Sequence, residues 1–428
     1  MMIKYLFLGL IIILPFQFAL NIGDNVDLVI TRVLVPVIFL LWLIRGLAQR
    51  KIWIANRAQT WLLLSFLFLS ALSLWGGLDW DKGIRKIIYL LSIAPVYFVA
   101  ADLARDEKFR KRLAGTVWAS GVLAAVAGLS QFVLPFVFGL DATLKLWKKL
   151  AIFFLGSSFG KLVATNPSWL VNVSGKTLMR AFGFFPDPHV FSFFVSLCFF
   201  VGLGLLFSER NNFLRIAYLA GSLLMVLAIA FSFSRGAYLG IIAGSLFYVI
   251  FLLKKKNILG KVAIAGAFML AIVLIFYQQT IFQRLASAFN PREGSNVERL
   301  QNWRQAADII QDHPLFGVGL GNYSSVVDPS SGERSSIYAH NMFLDIAAET
   351  GVLNGIVFLA LLAVGIWRGA AAKDFLGPGV ASGFIYLFVH GIFDTPIWAP
   401  QVMVIFLAVL ALGDKKLKIK SGKFKVAV

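Results

Sequence analysis

From about residue 3 to about residue 412, apolar stretches long enough to cross a bilayer alternate with short polar pieces that carry Lys and Arg. A membrane-spanning helix needs ~20 apolar residues. The pattern predicts twelve such helices, at 3–20, 26–44, 59–75, 84–101, 113–134, 189–207, 214–232, 237–253, 262–278, 343–366, 380–393 and 397–412. The last two are short enough to be tilted or partly irregular. The first stretch lacks a small-residue cleavage site and runs almost directly into the second, which reads as a retained helix and not a removed leader. The expected fold is all-α and polytopic, a single transmembrane domain over 1–428 with no internal repeat and no separate soluble domain.

Two segments break the alternation. Residues 135–188 mix amphipathic and aromatic stretches, and LWKKLAIFFL (146–155) reads as a helix lying in the membrane interface with Lys148 and Lys149 toward water. Residues 279–342 form a polar segment between two predicted spans. Its stretch NVERLQNWRQAADIIQ (296–311) has helical character, and a glycine-rich turn follows it. Segments of this length between elements are usually functional or disordered, and the embedded helix favours function.

Composition agrees with the pattern: 59% of residues are hydrophobic, 14% are charged, and mean hydropathy is +0.81. The net charge of +19 does not point to nucleic acid, because the basic residues fall in short clusters between apolar runs. The positive-inside rule places RDEKFRKR (105–112), KKKNILGK (254–261) and the Lys-rich tail on the cytoplasmic side, with both termini. Residues 135–188 and 279–342 then face outward. The single cysteine, Cys198, excludes an intrachain disulfide, and four histidines without a Cys/His spacing give no zinc pattern.

Charged residues near the ends of spans are costly and therefore informative. Two spans meet with almost no loop at FSFSRGAYLG (231–240), leaving Arg235 at the tip. An arginine there either snorkels or offers a fixed guanidinium to phosphate or carboxylate, with Ser232 and Ser234 alongside. The stretch RAFGFFPDPH (180–189) pairs Arg180, a candidate substrate contact, with a rigid turn in which Asp187 caps the next helix.

Further on, RLQNWR (299–304) precedes HPLFGVGLGNY (313–323), whose glycines lack the βαβ context of a dinucleotide site and read as a tight turn that lets backbone approach a ligand or a helix. In YAHNMFLDIAAETGVLNG (338–355), His340 stands where the polar segment enters a span. A neutral imidazole there can take a proton from a sugar hydroxyl, or His340 and Asn341 can simply cap the helix; Asn341 also counts among the substrate-binding candidates. Glu349, deeper in the same run, requires a partner. His390 and Asp394 in HGIFD lie on one helix face and read as a structural hydrogen-bonded pair. No paired-carboxylate site and no nucleophile–base–acid triad is evident, so no metal and no cofactor is expected. Several cations and one histidine on the outer face suit a pyrophosphate leaving group and a hydroxyl acceptor.

At SRGAYLG (234–240), Arg180 to His189, HPLFGVGLGNY (313–323) and AHNMFLDIAAETGVLNG (339–355), the sequence resembles the O-antigen ligase and polymerase superfamily. The resemblance implies a metal-independent glycosyltransferase of the bacterial inner membrane, acting on the periplasmic side in lipopolysaccharide biosynthesis. Its donor would be a polyprenyl (undecaprenyl) diphosphate-linked glycan and its acceptor lipid A-core, in the company of membrane lipids. It implies that Arg235 and an arginine of 279–342 hold the diphosphate while His340 acts as base. Arg299, in its helical context, is taken ahead of Arg284 and Arg292. The family pattern usually has Asn where this chain has His189. A polysaccharide polymerase, using a second lipid-linked repeat as acceptor, shares the same segments. A non-enzymatic flippase or transporter is the other alternative. It would be expected to place charges near the midplane within broken helices, whereas here they gather at one face.

Overall fold

The computed structural model describes residues 1–23, 26–173, 175–254, 282, 286, 287, 290, 294–329 and 337–413. Its helices, in chain order, are α1 Met2–Ile13, α2 Ile30–Ala48, α3 Ala58–Leu72, α4 Trp80–Ile93, α5 Pro95–Leu103, α6 Glu107–Phe138, α7 Leu140–Leu155, α8 Ser157–Val163, α9 Pro188–Ser208, α10 Asn212–Phe231, α11 Arg235–Leu253, α12 Gly294–Asp312, α13 Tyr323–Val327, α14 Met342–Thr350, α15 Val352–Ala371, α16 Leu376–Gly391 and α17 Pro400–Leu412. Eight helical stretches among the described residues are long and apolar enough to cross a membrane, and those around α1, α16 and α17 are shorter apolar helices. Eleven of the twelve predicted spans thus have a helical counterpart; the one expected at 262–278 lies outside the described residues. The chain is an all-α polytopic membrane protein.

The boundaries move where backbone chemistry demands it. The first predicted span, to residue 20, stops at Ile13. Pro15 closes a 3₁₀ turn, and the chain then forms a two-stranded antiparallel hairpin, β1 Ala19–Gly23 with β2 Val26–Val29, before α2 begins. Proline lacks the N–H that a continuing helix would need. The fourth span divides at Pro95 into α4 and α5. The tenth, expected to be continuous over 343–366, breaks at Gly351 into α14 and α15. Gly351 has φ +86°, and a Cβ there would lie 2.1 Å from the Leu315 carbonyl oxygen. Only glycine fits that left-handed position against another backbone.

Helix α9 is buried along its whole length, apolar on every side, and packs against α6, α10, α16 and α17. A helix without a polar face belongs at the centre of a bundle. Beside it, α11 lies close against α16 because glycines recur at 236, 240 and 244. Added Cβ atoms would lie 2.4 Å from His390 Cδ2, 2.7 Å from Tyr386 Cδ2 and 2.7 Å from Ser382 O. Small residues at this spacing let membrane helices approach closely. The seam brings the start of α11 beside the end of α16.

The segment expected to be helical at 296–311 is α12, and the glycine turn after it is threaded between other elements. Gly317, Gly319 and Gly321 all have positive φ. A Cβ on Gly317 would meet Ala348 O at 2.4 Å, and one on Gly319 would meet Gly77 Cα at 2.3 Å. The turn therefore serves the approach of backbone to helix ends. Glu349, 3% exposed, has the partner its burial requires: Lys86 Nζ of α4 lies 2.5 Å from Oε2. Lys148 and Lys149 are exposed on α7, as expected for that helix.

Candidate active site

Asp394, just past α16, is the residue on which the site converges. It is 4% exposed. Its Oδ2 lies 2.8 Å from His189 Nδ1, 3.5 Å from His390 Nε2 and 3.9 Å from an Arg299 terminal nitrogen, while its Oδ1 lies 3.4 Å from His340 Nδ1. Burial alone would disfavour a carboxylate here. The histidines around it reverse that and hold the Asp394 carboxyl well below the usual carboxylate range.

Each histidine arrives by a different local device. His189 is in the first turn of α9, where Pro188 opens the helix and Asp187 Oδ1 accepts from the His189 and Val190 N–H groups at 2.7 and 2.9 Å. His390 is in the last turn of α16, with Tyr386 OH 2.7 Å from its Nδ1, so its Nε2 faces inward. Ser234 Oγ stands 3.1 Å from both His189 Nδ1 and His390 Nε2.

His340 is held differently. Its φ is +51°, a left-handed conformation that a side chain other than glycine rarely adopts. Asn341 Oδ1 fixes the residue that follows by accepting from Phe343 and Leu344 N–H at 3.0 and 3.1 Å. Asp345 Oδ1 fixes the one before by accepting from Ala339 N–H at 2.7 Å, and its other oxygen accepts from Thr395 Oγ1, next to Asp394. Strain of this kind costs of order 1–3 kcal/mol and persists only where surrounding bonds over-determine it. The His340 side chain remains 46% exposed, with one edge on Asp394. Burial works against its cation, but the hydrogen bond and charge of Asp394 outweigh it and raise the imidazole above its ordinary value.

Of the residues singled out in the sequence, His340 and Arg299 are brought directly to Asp394. Arg235 starts α11 next to Ser234, is 5% exposed, and donates to the Ser287 carbonyl and hydroxyl oxygens at 3.1 and 3.2 Å. Asn341 is the N-cap of α14. Arg180 is 4% exposed and braces the turn before α11, donating Nε to Ser232 O at 2.6 Å and a terminal nitrogen to Ser168 O at 3.0 Å. Its position is that of a strut under Ser234 and Arg235. Arg284 and Arg292 lie outside the described residues.

The meeting of Asp394 with His189 was not legible in the sequence. A carboxylate and a histidine one turn apart at the end of an apolar helix carried the signal, since such groups are expensive there without a task. Taking them as a closed structural pair missed the two further histidines that meet the same carboxylate. Donor atoms of His189, His390 and Asp394 lie within 4.8 Å of one another, close enough to hold a cation. Each already faces a protein partner in Ser234, His340 or a neighbouring member of the group.

Residues 220–359 match the model of the O-antigen ligase family. Over 195 residues the chain is 27% identical to the teichuronic acid biosynthesis protein TuaE of Bacillus subtilis (strain 168), a match covering 43% of this chain and 40% of that protein. The chain thus spans less than half the length of this relative. The family match takes in Ser234, Arg235, Arg299 and His340; His189 precedes it, and Asp394 follows it.

Proposed function

We propose that the protein is a glycosyltransferase of cell-surface polysaccharide synthesis, moving a glycan from a polyprenyl diphosphate to a hydroxyl acceptor outside the bacterial inner membrane. The observation that carries this reading is the Asp394–His340 contact, 3.4 Å between Oδ1 and Nδ1, with the guanidinium of Arg299 at the same carboxylate. A carboxylate on Nδ1 selects the tautomer with its proton there, which leaves Nε2 as the free base. The likeness to the O-antigen ligase family supports the same chemistry.

The reaction follows from these positions. The acceptor hydroxyl gives its proton to His340 Nε2 and its oxygen attacks the anomeric carbon. The bond from that carbon to the diphosphate oxygen breaks, and the electron pair leaves with the diphosphate. Arg235 and Arg299 supply the cations on which that charge develops, and a guanidinium can grip two phosphate oxygens at once. Asp394 stabilises the imidazolium formed on His340. In this reading the site works without a divalent metal, both termini are cytoplasmic, and 135–188 and 279–342 are periplasmic.

The acceptor of first choice is lipid A-core, which makes the activity that of an O-antigen ligase. The second reading is a polymerase that adds the glycan to another lipid-linked repeat, favoured by a relative named for teichuronic acid biosynthesis. Purified protein given a lipid-diphosphate-linked glycan with either lipid A-core or a second repeat decides between them. Product on lipid A-core alone supports the ligase, lengthened lipid-linked chains support the polymerase, and neither product overturns the proposal.

A further inference from the structure

Asp394 has two carboxylate oxygens, and each is turned to a different imidazole outside its own helix. Oδ1 faces His340 Nδ1 at 3.4 Å; Oδ2 faces His189 Nδ1 at the shorter distance of 2.8 Å. One carboxylate carries one negative charge, so two imidazoles that share it cannot both draw on it fully. Among the described residues, the other charged and titratable groups here are His390, 3.5 Å from Oδ2, Arg299, 3.9 Å from Oδ2, Asp345, which acts on His340 and accepts from the Ala339 N–H, and Asp187, whose Oδ1 accepts from the His189 backbone N–H. Tyr386 OH meets the far nitrogen of His390, and Ser234 Oγ lies between His189 and His390.

We propose that His189 is a positioning residue of the transfer site, holding Asp394 by Oδ2 and drawing off part of its charge so that His340 is kept available as a neutral base. The proposal rests on the reading of His340 as the base. Its physical core is competition. Asp394 must orient His340 and stabilise the imidazolium during transfer, but an undivided carboxylate would hold that proton too firmly between turnovers. A second imidazole on the opposite oxygen limits the grip and also fixes the carboxylate's rotation, keeping Oδ1 aimed at His340.

The chain has only four histidines, at 189, 313, 340 and 390, so ring-labelled protein gives a countable set of resonances. The signal of His340 is identified by its loss in His340→Gln. His189→Asn keeps a polar group facing Oδ2 but removes the second imidazole. It should move the His340 titration midpoint to higher pH and turn a curve broadened by coupling into a single-site curve. His189→Gln, with a longer amide, should move it the same way. In the Asp394→Asn background, His189→Asn should leave the His340 midpoint where Asp394→Asn put it, so that the shift seen with Asp394 present is assigned to that carboxylate and not to a general disturbance of the site.

An unmoved midpoint and unchanged width in folded His189→Asn and His189→Gln would overturn the proposal. Single-turnover transfer across pH on the same proteins separates the two ideas. If the His340 resonance moves and the acid limb of transfer does not, the charge sharing stands and the base assignment fails.

Discussion

Asp394 Oδ1 and His340 Nδ1 face each other at 3.4 Å across 54 residues of chain. This contact makes the clearest prediction. Asp394→Asn keeps the shape and removes the charge, so the imidazolium loses its stabilisation and the tautomer its selector. Transfer should fall by about 10²–10⁴-fold, the scale of a lost general base. Because His340 must be neutral to act and its value lies above the ordinary imidazole 6.5, wild-type transfer should decline as pH falls through a midpoint above 6.5. Asp394→Asn should move that limb to lower pH. The raised value also adds stability that is complete below the unfolded imidazole value and is lost as pH rises through the folded one. Rate and melting temperature across pH check both signs.

Arg235→Lys should be nearly as damaging as Arg235→Ala, with donor binding weakened first in both. Lysine keeps the charge but loses the planar fork that meets two phosphate oxygens. Binding of the lipid-linked donor and single-turnover transfer, measured on one detergent preparation, separate these effects. A lysine variant with most of its activity would reduce Arg235 to a point charge.

Lys86→Ala should destabilise the fold without touching the transfer groups. It leaves Glu349, 3% exposed, as an uncompensated buried charge, and breaking such a pair costs about 3–5 kcal/mol. The double variant Lys86→Met with Glu349→Gln should recover most of the loss in thermal unfolding. No recovery would mean that Lys86 matters chiefly through its contact with the Trp398 ring, 4.2 Å away.

Topology can be read with single cysteines, because Cys198 is fully buried and gives no background. Leu315 is 77% exposed in the turn after α12, and Phe213 is 78% exposed in the first turn of α10. An impermeant thiol reagent should label Leu315→Cys in cells with a permeabilised outer membrane, and Phe213→Cys only after lysis. The reverse pattern would invert the orientation.

Transfer should survive EDTA at full rate. Loss in chelator with rescue by magnesium or zinc would assign a cation to the His189, His390 and Asp394 donors.

Much of the bundle was legible in the sequence because apolar runs of bilayer length have few alternative structures. Pro15, Pro95 and Gly351 altered the expected helices, and in each case the cause is a backbone property that a hydropathy average does not register. The need for a partner at Glu349 was readable from burial alone; which of 40 basic residues supplies it was not, since Lys86 is 263 positions away. His340 and Arg235 could be singled out from their places at the ends of spans, and Arg299 from the helical stretch that holds it and the family resemblance. The convergence on Asp394 was not legible in the same way. Its local neighbour at i–4 offered a sufficient structural explanation, and His189, Arg299 and His340 reach it from three distant parts of the chain.

The order of residues around Asp394 also bears on biogenesis. Synthesis delivers His189, Ser234, Arg235, Arg299, His340 and His390 before it delivers the carboxylate. During insertion the earlier residues wait without the anion that aligns them, and α16 must dock on α11 before it can reach them. The nascent chain therefore gains its chemistry in a single late step.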